Sequence, residues 1–498
     1  MKANMTLFAW CVLAAIVAPP FPARSQSNQF AVLHHFNSSD SDGIQSGGDL
    51  ALGPDGSTMY GTSYSGGYNG YGALFSLGPD GQGGFTYQTL YSFTGGTNDG
   101  GNPDGGLTWY SNAFWGTTQT GGSNGFGTIF SFNPDPTNTT KQHFAGNHQK
   151  GPNGRGNYHH KHPDGGLYGS CEGTSSAPGE VYNYDAVGRK ISDVVQFSQS
   201  VNGAHPSGTP AVGDVSPSGQ ARPEGASPLG SSNSVLSQIA LYGVTTSGGS
   251  NNWGTVFTVQ ADTNGFNVLH NFGFFSDGGS PIGGMVLSGD VLYGTASAGG
   301  SNYNGTIFMI HTDGSNFKVL AAFNYATTGD SPQGDLILSG KTLYGTTYIG
   351  GTGGGGTVFS IDTNGDNFTV LYSFSSPMSN GSGSYTNSDG GWLVSGLLWS
   401  GYTLYGVTPY GGAYGGGTAF AIALPAPPSL NIALSGGNLS VSWPASASNY
   451  LFQVNSDLGT SNWSKFLGTV NSDGTNNRAS MTPGPGNAFF RLLSTNGP

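Results

Sequence analysis

Seven times along this chain an aromatic residue is followed by glycine at the same point of a repeating pattern. The anchors are Tyr60-Gly61, Trp115-Gly116, Tyr168-Gly169, Tyr242-Gly243, Tyr293-Gly294, Tyr344-Gly345 and Tyr405-Gly406. Successive gaps are 55, 53, 74, 51, 51 and 61 residues. A period near fifty in a strand-rich chain predicts an all-β propeller, one four-stranded blade per repeat.

The cleanest unit predicts strand a at 335–339, strand b at 342–348, strand c at 357–362 and strand d at 368–374. Val, Ile, Thr, Tyr and Phe fill these runs, while Gly, Asn and Asp fill the connections, as tight turns with positive φ require. Strand c recurs in all seven repeats, but strand d appears only six times downstream of it. The seventh copy stands at the other end, where Phe30–Phe36 reads FAVLHHF against FNVLHNF at Phe266–Phe272. The N-terminal strand is therefore expected to complete the last blade and remove two open sheet edges.

The density of 88 glycines and 27 prolines approaches that of disordered chains, but a sevenfold repeat points to folded β structure with Gly-rich loops. Residues 1–25 read as a secretory signal: Lys2, an apolar core over Leu7–Val17, and a small-residue exit at Ala23-Arg24-Ser25. Its removal leaves 12 basic against 26 acidic residues, a net charge of −14, which argues against nucleic acid. The mature chain keeps one cysteine, Cys171, so no internal disulfide is expected. A secreted monomer that does not insert into a membrane and needs no cofactor follows.

The composite of Leu343-Tyr344-Gly345-Thr346-Thr347, Gly350-Gly351, Gly356-Thr357-Val358-Phe359 and Phe-x-Val-Leu-x-x-Phe over Phe368–Phe374 closely resembles the GloVer (Gloeo/Verruco) tandem repeat of secreted bacterial proteins. The resemblance runs from residue 30 to about 424 and implies an exported bacterial protein; that family brings no established activity. The diglycine after strand b also resembles kelch repeats. Copper oxidases of that layout use a Tyr–Cys cross-link, yet Cys171 near Tyr168 has no matching pair of histidines and tyrosines.

Pro425-Ala426-Pro427-Pro428 is expected to be a stiff linker between the propeller of 26–424 and a module of 429–498. That module resembles small fibronectin-III-like β-sandwiches, with Trp443 and Trp463 as expected core residues. Within the fourth repeat, Val215–Gln238 is a Ser-, Pro- and Gly-rich excursion without a core.

Alternating strand direction puts the d–a and b–c connections on one face. Its d–a loops carry a recurring aspartate: Asp42, Asp99, Asp277, Asp330 and Asp389. Its b–c loops carry aromatics in glycine runs: Tyr68, Tyr71, Phe126, Trp253, Tyr303 and Tyr414. Aromatic faces beside carboxylates suit sugar rings and hydroxyls, so an extracellular glycan or cell-surface polymer is the expected partner. The competing reading makes the aspartates loop braces and the aromatics plugs between blades. Two of the same carboxyls could instead cleave a glycan. His160 and His162, two apart in the third repeat, are weak metal candidates, and no HExxH spacing supports them. No phosphate loop or nucleophile elbow is present.

Overall fold

In the computed structural model the described residues are 29–37, 42–134, 142–144, 158–161, 166–173, 179–185, 190–198, 203–214, 239–260, 265–381, 383–426, 428–435, 438–447, 450–456, 463–482 and 488–494. Among them there is no helix, and the fold is all-β and propeller-like. The expected signal sequence and the 215–238 excursion lie outside the described residues.

Each repeat forms one four-stranded antiparallel sheet, with its strands hydrogen-bonded in chain order. In the sixth the strands are Ile337–Ser339, Thr342–Thr347, Gly354–Asp362 and Thr369–Ser375. Sheet 7 takes its outer strand from the other end of the chain. Strand β1, Gln29–His35, pairs antiparallel with Thr418–Ala423, from Gln29 opposite Ala423 to His35 opposite Thr418. Successive sheets share buried apolar clusters, and one further cluster joins Phe36 and Val407 of sheet 7 to Leu50, Met59 and Phe75 of sheet 1.

The repeated residues are explained by two contacts. The strand-c phenylalanine lays its ring against the glycine of the aromatic-glycine anchor. A Cβ on Gly294 would lie 2.7 Å from Phe308 Cζ, and one on Gly345 2.6 Å from Phe359 Cζ. On its other side that ring meets the last phenylalanine of the preceding sheet edge-on. The pairs are Phe93–Phe130 at 5.1 Å, Phe272–Phe308 and Phe323–Phe359 at 5.2 Å, and Phe374–Phe420 at 5.1 Å. Phe36 repeats the contact on Phe75 at 5.3 Å. The threonines serve a separate purpose: Oγ1 atoms at the end of strand b and the start of strand c lie 2.9 Å apart in Thr118–Thr128, Thr245–Thr255 and Thr347–Thr357. The strand-b hydroxyls also donate to the carbonyl two residues on, Thr118 to Thr120, Thr245 to Ser247 and Thr347 to Ile349, so burial leaves none of them without a partner.

Gly294→Ala is expected to cost about 1–3 kcal/mol by overpacking. Phe308→Leu removes the clashing Cζ, so the double variant should lose less than the sum of the singles in denaturant titrations. Strict additivity would show that the ring does not rest on that glycine.

The chain divides into two compact units at Leu424/Pro425, with Ser339–Thr342 grouped with the second. The second builds one sheet from Asn431–Ser435, Asn438–Pro444, Asn476–Met481 and Val470–Ser472, and another from Ser464–Lys465, Tyr450–Asn455 and Phe489–Ser494. Both sheets contribute to one core around Val441, Trp443 and Phe452, the two rings stacking at 4.7 Å. Trp463 is not in that core: it is half-buried, with the Arg491 guanidinium 4.4 Å above its ring. An indole that shelters a cation leaves the charge in water, which a core position would not.

Candidate functional site

The d–a aspartates brace the fold. Asp99 accepts hydrogen bonds from Tyr91 Oη at 3.0 Å and from Thr94 N and Oγ1 at 2.8 Å. Asp389 accepts from Tyr372 Oη and Ser375 N at 3.0 Å, and from Ser375 Oγ. Asp277 accepts from Gly273 N and lies 3.0 Å from His270 Nε2, while Asp42 accepts from Asn37 N and lies 2.8 Å from His34 Nε2. In each case the carboxylate ties the residue after the last phenylalanine of strand d to the aromatic two places before it. Strand d of sheet 5 has Ala321 at that place, and Asp330 instead accepts from Asn304 Nδ2 and Ser331 Oγ. Asp99 and Asp389 are buried. The competing reading of these residues thus has a complete set of partners, and carboxylates so engaged are poorly placed for catalysis.

The b–c loops lean across to the next sheet. Asn102 N donates to the Tyr71 carbonyl at 2.7 Å, Ser280 N to Trp253 at 2.8 Å, Ser331 N to Asn304 at 3.2 Å and Trp392 N to Gly355 at 2.8 Å. Gln45 N donates to the Gly416 carbonyl at 3.0 Å, carrying the same latch across the junction of the chain's two ends. All five donors are non-glycine residues in the left-handed region, with φ of 56°, 49°, 54°, 59° and 58°. Such backbone costs on the order of 1 kcal/mol per residue and persists only where the surroundings demand it.

Exposed rings crowd this face. Of the nine exposed Phe, Tyr and Trp among the described residues of the first unit, eight lie in b–c or d–a connections, and only Tyr402 lies on the opposite face. Two groups are connected. At sheets 4 and 5, Trp253 stacks on Phe274 at 4.1 Å, with Phe275 and Tyr303 beside it. Phe274, which supports the Trp253 ring, is itself at φ 74°. At sheets 6 and 7, Trp392 packs against Tyr385 and Tyr410 at 5.2 Å and Tyr348 at 6.5 Å. Tyr385 reaches the group on a hairpin inserted in this d–a connection, Met378–Ser379 with Tyr385–Thr386. Tyr71 and Tyr414 are exposed singly, and Phe126 is half-buried. The sequence-derived aromatics therefore share a face without converging on one point.

Residues ahead of strand a, together with the ends of strand b, line a cavity of about 970 Å³ that takes walls from sheets 1, 2, 4, 5, 6 and 7. Its polar lining includes Gln45, Gln119, Gln333, Asp49, Asp104 and Asp335, and its aromatic lining Tyr64, Trp109, Tyr348 and Tyr410. Tyr64 Oη donates to Gln119 Oε1 at 2.9 Å, and Gln45 Nε2 donates to Tyr410 Oη at 3.4 Å. Among the described residues, no Lys, Arg or His lines it.

Asp49 and Asp335 interrupt the repeat. Their equivalents are Gly106, Thr209, Gly284 and Gly396, small residues where neighbouring sheets approach. Asp49 accepts from Gly396 N at 2.6 Å, and Asp335 accepts from Gly284 N. Burial first, and then the Asp335 charge, push the Asp49 carboxyl up to about 7, against the opposing Gly396 hydrogen bond. Burial likewise raises Asp335. These residues, with Trp392, Tyr348 and Tyr410, escaped the sequence reading; the signal available was an acid at a position that is otherwise small.

The metal candidates receive no support. His160 lies on the strand Tyr158–Lys161, its side chain outside the description, and His162 lies outside the described residues. Among the described residues no group of three or more His, Cys, Asp or Glu is arranged to hold a metal ion. No helix there is long and apolar enough to cross a membrane.

Residues 21–231 and 219–385 each match the model of the Gloeobacter/Verrucomicrobia repeat. No curated protein matches the chain. Among solved structures, the nidogen/laminin complex aligns at TM-score 0.34 and 12% identity, over 70% of this chain and 85% of that one. TolB from Acinetobacter baumannii aligns at 0.33 and 13%, over 59% and 58%. A prolyl endopeptidase aligns at 0.39 and 9%, over 81% and 47%.

Proposed function

The chain belongs to the Gloeobacter/Verrucomicrobia repeat family, and we propose that it is a secreted, non-enzymatic seven-bladed propeller that holds an extracellular glycan on its loop face. In this reading β1 closes the ring, the blades follow a kelch-like layout, and residues 429–498 form a fibronectin-III-like module behind the proline linker. The protein works as a monomer outside a bacterial cell, without cofactor, nucleic acid or membrane insertion.

The observation that carries the reading is the placement, among the described residues of the first unit, of eight of nine exposed rings on one face. Exposed rings that merely filled gaps would not segregate to one side, whereas a polymer lying across the loops needs several stacking platforms. Sugar C–H faces pack on such rings, and their hydroxyls reach the glutamine amides and loop carbonyls beside them. Each site is weak, and repetition around the face raises avidity for a long chain.

A glycan array on residues 26–498, with product analysis of every hit, tests this. Tyr303→Ala should weaken binding to a glycan hit while changing stability by no more than about 0.5 kcal/mol, since the ring is mostly exposed. Trp253→Ala should also weaken binding, and cost roughly 1–2 kcal/mol through the lost Phe274 stack. Unchanged affinity in both variants for a verified glycan would move binding off this rim.

A second reading, cleavage of the glycan, gains one specific support. A carboxyl held near neutral pKa in a cavity wall is suited to give and take a proton. Asp49 with Asp335 is the pair to consider for that role, ahead of the d–a loop aspartates, and shortened products from a hit would establish it.

A further inference from the structure

We infer that the connected rings of sheets 4 and 5 form one platform for an uncharged glycan, a chain of pyranose units whose equatorial hydroxyls leave flat C–H faces. This rests on the glycan reading above and names the place and the chemical class.

The b–c loops of sheets 1, 2, 4, 5, 6 and 7 have equal length, from the diglycine to the glycine before strand c. Their fifth position lies in the left-handed region, with φ between 63° and 82°. Its N–H closes a turn onto the second glycine of the pair, as Gly125 does on Gly122, Gly354 on Gly351 and Tyr303 on Gly300. The position holds Gly70, Gly125, Gly354 and Gly415 in sheets 1, 2, 6 and 7, and Asn252 in sheet 4. Glycine and asparagine enter that region readily. Sheet 5 places Tyr303 there, a bulky residue for which the conformation is an outlier. Its ring is 61% exposed, so burial does not offset the strain. Phe274 carries the same strain at φ 74°. Strain held at rings that face water serves a ligand surface better than it serves the fold.

The two strained residues adjoin. Phe274 has Trp253 stacked on it at 4.1 Å, Phe275 edge-on at 5.6 Å and Tyr303 at 6.0 Å. Charge decides what they can hold. The four connections of this part of the face, 247–255, 272–281, 297–306 and 323–332, contain no Lys, Arg, His or Glu and only two aspartates. Asp277 is engaged by Gly273 N–H and His270, and Asp330 by Asn304 and Ser331. An anionic sugar finds no cation here and an ammonium no free carboxylate, so either sheds hydration without a counter-charge. Ring faces bordered by exposed Ser250, Asn252 and Ser301 match C–H faces and neutral hydroxyls instead.

Calorimetry of the whole chain with three β-1,4-linked hexamers tests this: glucose, glucuronic acid and glucosamine. Physiological salt screens long-range attraction to the acidic chain. The glucose hexamer should bind roughly tenfold or more tightly than either charged one. Tyr303→Gly should lose most of that affinity yet melt no lower than the parent, because glycine relieves the strain. Tyr402→Ala, on the opposite face, should leave the affinity unchanged. Full affinity in Tyr303→Gly would take the site off this platform, and a lower melt would show that packing holds the ring; either overturns the inference. A charged hexamer bound as tightly as the glucose hexamer would overturn the uncharged class and leave glycan binding standing. No hexamer bound, with other hits on the glycan array, would overturn this inference alone; with an empty array it removes both. Dimerisation in sedimentation that Phe275→Ser reverses, with no hexamer bound, would show that the patch meets a second copy instead.

Discussion

A chain that begins at Asn37 is expected to lose its cooperative melt, or to aggregate on expression. The deletion strips β1 from Thr418–Ala423 and leaves a buried strand as an open edge, a template for pairing with other chains. It also removes Phe36, which is fully buried against Phe75, and Phe30, which stacks on Tyr372 at 3.9 Å. Truncating a buried phenylalanine alone costs about 3–5 kcal/mol. Two such losses with seven residues of ladder approach the whole net stability of a typical domain, about 5–15 kcal/mol. A synthetic peptide spanning 29–37 should restore part of the melt by adding back as a strand. A truncated chain that melts with the parent would sink ring closure through β1.

The second large effect is a pH dependence opposite to that of most carboxylates. The Asp49 carboxyl is raised from 3.8 to about 7 in the folded chain, so between those values the native state binds more protons than the unfolded one. Its contribution is fully present below pH ~4 and is lost as pH rises through ~7. Asp49→Asn keeps an acceptor for Gly396 N–H and removes the titration. The variant should therefore be more stable than the parent at pH 8, by on the order of 2–4 kcal/mol, with the difference vanishing near pH 4. Denaturant midpoints at the two pH values measure it. A variant less stable than the parent at pH 8 would show that Asp49 is held ionised by a partner.

The legible features were those carried by short-range pattern. The alternation in FAVLHHF and its likeness to the FNVLHNF of the fourth repeat identified a strand-d segment ahead of any pairing partner, because strand pattern is local. The aromatic-glycine anchors were equally plain, although their cause, a ring from strand c lying on the glycine, is a cross-strand contact. The aspartates were legible as a recurring set and as candidate loop braces, but the partners each one takes were not. Asp99 reaches back to Tyr91 and Asp389 to Tyr372 over a loop whose path had to be known first.

Trp253 shows the limit from the other side. Its own loop offers little to cover an indole, and Phe274 lies 21 residues further on, brought under it by a left-handed turn. Trp392 likewise gathers Tyr348, Tyr385 and Tyr410 from three separate connections.

The sequence by itself determined the repeat, the four-stranded units, the strand that joins the two ends and the face bearing the aromatic loops. All of these follow from periods of two within strands and about fifty between them. Only the tertiary structure decided which side chains meet. Asp49 and Asp335 are nearly three hundred residues apart in sequence and come to flank Gly396 because sheet 7 stands between sheets 6 and 1. Packing of whole sheets sets such distances, and burial then sets the charge the carboxyls can carry; neither quantity is written in any local pattern.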